Sequence, residues 1–103
     1  MSKIASGYRK IKKHKIGRKT YHLAWKREVI DDDGDDVYGT TSHPAKKPVI
    51  EVSTQQSEKE MLDTLVHEAL HAVKFSRDEN VIKVASKSIS DFLWKVRFRI
   101  KPS

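Results

Sequence analysis

The stretch from Ser57 to Phe75 constrains the fold more than any other part of the chain. Ser57-Glu58-Lys59-Glu60 has the form of a capping box. The Ser57 hydroxyl can accept from the amide three residues on, and Glu60 can reach back to the Ser57 amide. Leu62, Leu65, Val66, Ala69, Leu70 and Val73 follow at i, i+3, i+4, i+7, i+8 and i+11. That spacing predicts one amphipathic helix, running from the cap to about Phe75 and burying this stripe.

The same helix carries His67-Glu68-Ala69-Leu70-His71, a His-Glu-x-x-His motif. Four residues advance a helix by little more than a turn, so the two imidazoles project from one face, about 6 Å apart at Cβ. This is the bite that two histidines need to share one metal ion. Glu68 is rotated about 100° from His67. Its carboxylate then stands beside the ion, placed to take a proton from water that the ion activates.

The chain has no cysteine. Disulfides, thiolate zinc sites, thiol catalysis and iron–sulfur ligation are therefore excluded, and zinc held by histidine and carboxylate is the expected cofactor. Two histidines do not hold zinc firmly, because catalytic sites use three protein ligands plus water. The candidates for the third are Glu79, Asp78 and His43. Glu79 opens a second helix eight residues after His71. A helix returning antiparallel would present its first turn beside the end of the metal helix, which favours Glu79, with Asp78 next. The competing role for both acids is to cap that helix, where carboxylates complement the dipole.

With 103 residues the chain reads as one domain, 1–103, with a single modest core. Residues 1–7 carry little pattern and read as a leader. Tyr8 to Ile16 and Lys19 to Val29 read as a hairpin turning at Gly17-Arg18, with Tyr21, Leu23 and Trp25 on one face. His14 and His22 read as solvated strand histidines. Asp31 to Asp36 holds five Asp and one Gly. It reads as an extended, solvated loop, because the glycine offset does not suit an EF-hand calcium loop.

Val37 to Thr41 and Val49 to Ser53 read as two more strands, with Ser42 to Pro48 turning between them. Gly39 permits another backbone to approach closely. The second helix has Val81, Ile82, Ala85, Ile89, Phe92, Leu93 and Val96 at its apolar positions. Residues 95–103 form a basic tail, either an added strand or a frayed end. The fold class is α+β: a small antiparallel sheet, from the N-terminal hairpin and two strands, followed by two antiparallel helices.

The formal net charge is +7, and ten Lys or Arg without an acid lie between Lys3 and Arg27. Such a segment suits phosphates, so nucleic acid is a second partner class, with Tyr8, Tyr21 and Trp25 as stacking candidates. No apolar run approaches the roughly 18–20 residues of a membrane span, and no signal peptide is evident. A soluble, cytoplasmic chain is expected.

The stretches Val37 to Thr40, Val49 to Val52, Met61 to Ala72 and Glu79 to Ile82 resemble the short zincin-like metallopeptidases encoded in phage genomes. These are similar to minimal gluzincins and, more distantly, to the ImmA/IrrE-like and SprT-like groups. The resemblance covers roughly residues 37–93 and is most specific at Thr64 to Ala72. It implies zinc on His67 and His71, Glu68 as general base, an acidic third ligand at Glu79, and an edge strand that pairs with an extended peptide or protein substrate. It places such a chain in the cytoplasm of a bacterial host or with the virion. Tyr38 or His43, near that edge strand, is a candidate for steadying the oxyanion. The alternative is a nucleic-acid-binding or phage assembly protein whose zinc site is not catalytic.

Overall fold

The structure is a computed structural model that describes residues 13–42 and 48–99. The leader, residues 8–12 of the first expected strand, His43 and the end of the basic tail lie outside these residues.

The elements run β1 (Lys13–Ile16), β2 (Lys19–Lys26), β3 (Val29–Ile30), β4 (Asp36–Val37), β5 (Gly39–Thr41), β6 (Val49–Ser53), α1 (Glu58–Ala72) and α2 (Glu79–Lys95). The class is α+β, with a small, mostly antiparallel sheet ahead of two helices. β1 and β2 form the expected hairpin, and Gly17 takes a positive φ of 64° in its turn.

Three expectations about the sheet need correction. The four-stranded sheet has the order β1-β2-β6-β5, and β2 pairs with β6 in parallel. β6 inserts between β2 and β5, running parallel to β2 and antiparallel to β5. The expected strand 19–29 and the expected strand 37–41 are each broken. Their outer ends, β3 and β4, pair as a separate two-stranded ribbon. The aspartate loop between them is a tight turn and not an extended segment. Asp31 accepts from the amides of Asp33 and Asp35, each at 2.9 Å, and Gly34 adopts φ 84°. Backbone hydrogen bonds here outweigh the repulsion of exposed, well-hydrated charges.

Alternation along the strands places the core as expected. Tyr21, Ile50 and Val52 from the sheet meet Met61 and Ala72 of α1, with Leu23, Trp25 and Leu65 packed against them. The outer face carries Lys26 and Glu51, paired at 2.7 Å.

On α1 the capping box forms: the Glu60 amide donates to Ser57 Oγ at 3.1 Å and the Ser57 amide to Glu60 Oε1 at 2.9 Å. The buried stripe is rotated from the expected one. Met61, Leu62, Glu68 and Ala72 are buried, whereas Val73 is 45% exposed. Met61, Leu65, Glu68 and Ala72 follow i, i+4, i+7 and i+11, so the helix turns this row, including a carboxylate, toward the sheet.

α2 is corrected in the same sense. Ile82, Ser86 and Ser90 are its buried residues, while Val81, Ile89, Phe92 and Val96 are exposed. Small serines let two helices approach closely. Ser90 Oγ bonds the Asp63 carboxylate, and Lys59 Nζ reaches Asp91 at 2.7 Å, so α2 runs antiparallel to α1. Residues 96–99 form no strand; Arg97 with φ 71° ends α2 in a Schellman turn.

Gly39 sets the distance between β5 and α1. A Cβ there would lie 2.5 Å from Thr64 Cγ2 and 3.2 Å from Glu68 Cγ. Gly39→Ala should cost about 1–3 kcal/mol in a urea unfolding titration, the range for overpacking. An unchanged midpoint would mean that the strand stands off the helix.

Candidate metal centre

The α1–α2 connection decides where Glu79 lies. α1 ends in a Schellman turn, with Lys74 at φ 56°, the Lys74 amide donating to His71 O and the Phe75 amide to Leu70 O, each at 3.0 Å. Asp78 then caps α2, accepting from the Asn80 amide at 2.9 Å. Glu79, the first residue of α2, points back at α1.

Glu79 Oε1 lies 2.7 Å from His67 Nε2, and Glu79 Oε2 lies 3.3 Å from His71 Nε2. The two histidine nitrogens are 3.2 Å apart. A tetrahedral ion bound at about 2.0–2.1 Å has its ligand atoms about 3.3–3.4 Å apart, and the histidine pair lies near that spacing. Glu79, which reaches the two rings with different oxygens, hydrogen-bonds His67 at a shorter distance and stands within reach of the same ion. The donor set of two imidazoles and one carboxylate is also that of a catalytic zinc centre. The residues therefore fit the ion.

Glu68 is buried at 8% exposure and sits beside this trio. Thr41 Oγ1 donates to Glu68 Oε1 at 2.7 Å and lies 2.9 Å from the Glu68 carbonyl oxygen, so its one proton serves either acceptor. Burial pushes the Glu68 carboxyl above the ordinary carboxylate range. The Thr41 hydrogen bond and the two histidines pull it back down, while Glu79 pushes it up. A cation held by the trio would act with the histidines and favour the carboxylate.

The structure thus brings together His67, His71, Glu79 and Glu68. Asp78 is occupied as a helix cap, and His43 lies outside the described residues. Tyr38 lines the groove beside His67, but its side chain is mostly exposed and shows no bond to the trio. His14 and His22 join no such group among the described residues. Thr41 was not found from the sequence, since it lies 27 residues from its partner. Only its place two residues after Gly39, on the same strand face, could have pointed to it.

Carboxylate oxygens of Asp31, Asp33 and Asp35 also gather within 4.8 Å, but Asp31 spends its oxygen on the turn's own amides. Tyr21 is buried and Trp25 packs on the same core, which removes two of the three stacking candidates for nucleic acid. No helix among the described residues is long and apolar enough to cross a membrane. No family model matches the chain, and no curated protein or solved structure matches it either.

Glu79 and Asp78 are adjacent, and their geometry separates their roles. In a zinc titration against a competing chelator, Glu79→Ala should weaken binding by more than the about 10–100-fold typical of an outer partner, as should either histidine to Ala. Asp78→Ala should keep the affinity and lose about 1 kcal/mol of stability, the value of a cap. Equal affinities for Glu79→Ala and wild type would remove Glu79 from the ligand set.

Proposed function

We propose that the chain is a zinc-dependent metallopeptidase of minimal zincin form, with His67, His71 and Glu79 as ligands and Glu68 as general base. The observation that carries this reading is the convergence of three ligand atoms from two helices beside a separately held, buried carboxylate. A structural zinc site is normally closed by four protein ligands. Three ligands with a carboxylate alongside leave a position for water.

Zinc bound there would supply a Lewis acid for the scissile carbonyl and lower the pKa of its water. The chain's own residues do the rest. Glu68 takes the proton of the attacking water and passes it to the leaving amine. When Thr41 donates to Glu68 Oε1, the other oxygen is left free to carry the proton. Burial beneath β5 keeps bulk water from solvating the carboxylate, which raises its basicity toward that of a useful base. Gly39 keeps the strand low enough for this contact.

The edge position of β5 supports a peptide as substrate. β5 is the last strand of its sheet, so it offers unpaired backbone groups above the groove.

Glu68→Gln keeps the shape and removes the basicity. Zinc content and melting temperature should stay near wild type, while hydrolysis of a peptide library falls at least about 100-fold. Thr41→Val should also keep its zinc and lower the rate, less severely, because the base loses its orientation and not its charge. Wild-type rates in Glu68→Gln would contradict the mechanism.

A further inference from the structure

Two recesses meet at Glu68, and they carry opposite charge. The first, about 390 Å³, is bounded by Gly39, Thr64 and His67, with Lys83 and Lys87 on its α2 side. Its carboxylate, Asp63, is engaged by Lys59 at 2.7 Å and by Ser90. Lys87 is shared with Asp91 at 3.2 Å, and Lys83 has no carboxylate partner among the described residues. The second recess, about 620 Å³, is bounded by Thr41 and His71 and faces Asp31 and Asp33, with Lys74 as the opposing cation among the described residues. Its other carboxylate, Glu51, is paired with Lys26. Among the described residues, one side of Glu68 is therefore cationic and the other anionic.

β5 runs from the first recess to the second, because Gly39 lines one and Thr41 the other. The Ser53 amide donates to Tyr38 O, and the Ser42 amide to Val49 O. The antiparallel alternation then turns Thr40 inward to β6, and turns the N–H and C=O of Gly39 and Thr41 to the free edge. A peptide adding antiparallel to that edge has its N-terminal half at Thr41 and its C-terminal half at Gly39.

We infer that this cleft selects an extended peptide with basic residues N-terminal and acidic residues C-terminal to the bond held over Glu68. The inference rests on the metallopeptidase reading for the position of that bond. The polarity itself comes from β5 and the charges flanking it. Complementary charge suppresses the reversed order as well as favouring the correct one.

The test uses zinc-loaded Glu68→Gln protein and two fluorescent decapeptides of identical composition, one lysine-rich then aspartate-rich, the other in reversed order. Anisotropy titrations should show the first bound at least about tenfold more tightly, a difference of about 1.4 kcal/mol. Lys83→Glu combined with Asp33→Lys should invert the preference. Equal binding of the two orders, or binding of neither, overturns the inference. Hydrolysis by the wild-type protein is measured in parallel. Order preference without any hydrolysis counts against the enzyme reading alone, and hydrolysis without order preference counts against the polarity alone.

Discussion

The contact of β5 with α1 is the constraint on which the rest of the structure depends. Gly39 allows the strand to descend until Thr64 and Glu68 touch it, and Thr41 then reaches the Glu68 carboxylate. Burying an ionisable side chain costs free energy unless it is hydrogen-bonded, and Thr41 supplies that bond. The helix rotates so that Glu68 joins Met61, Leu65 and Ala72 on the sheet side. His67 and His71 are thereby turned toward α2, where Glu79 meets them.

The second helix is held for position more than for burial. Beside Ile82 its inward row is serine, and several of its contacts with α1 are polar: Ser90 with Asp63, Asp91 with Lys59, Glu79 with the histidines. Polar contacts fix register, since each has one geometry, whereas an apolar interface tolerates sliding. For a donor group whose third member, Glu79, comes from a separate helix, that register is what matters. The cost is an outer face of α2 that leaves Phe92 and Val84 largely exposed.

What the sequence disclosed follows the range of the interactions. The capping box, the helix that it starts, the hairpin turn at Gly17 and the inward face of Tyr21, Leu23 and Trp25 depend on residues a few positions apart, and local spacing reveals them. The pairing of His67 with His71 is local in the same way, and Glu79 was reachable because a short connection limits where a returning helix can start. The parallel pairing of β2 with β6, the serine face of α2 and the Thr41–Glu68 bond depend on which distant segments meet. Apolar periodicity also misplaced the buried row of α1, because it ranks residues by hydrophobicity and so sets aside a buried glutamate. The placing of Asp31 and Asp33 on one side of Glu68 and of Lys83 and Lys87 on the other is hidden for a related reason, since nothing in their spacing along the chain shows that they flank one residue.

The central claim is that two imidazoles and one carboxylate from α1 and α2 hold a single zinc. X-ray absorption fine structure at the zinc edge, on protein loaded with one equivalent, tests it most directly. The account predicts a first shell of nitrogen and oxygen at about 2.0–2.2 Å, with the outer-shell scattering of two imidazole rings. A shell of oxygen alone, as the Asp31 turn would give, or failure of the protein to retain zinc through desalting would contradict it.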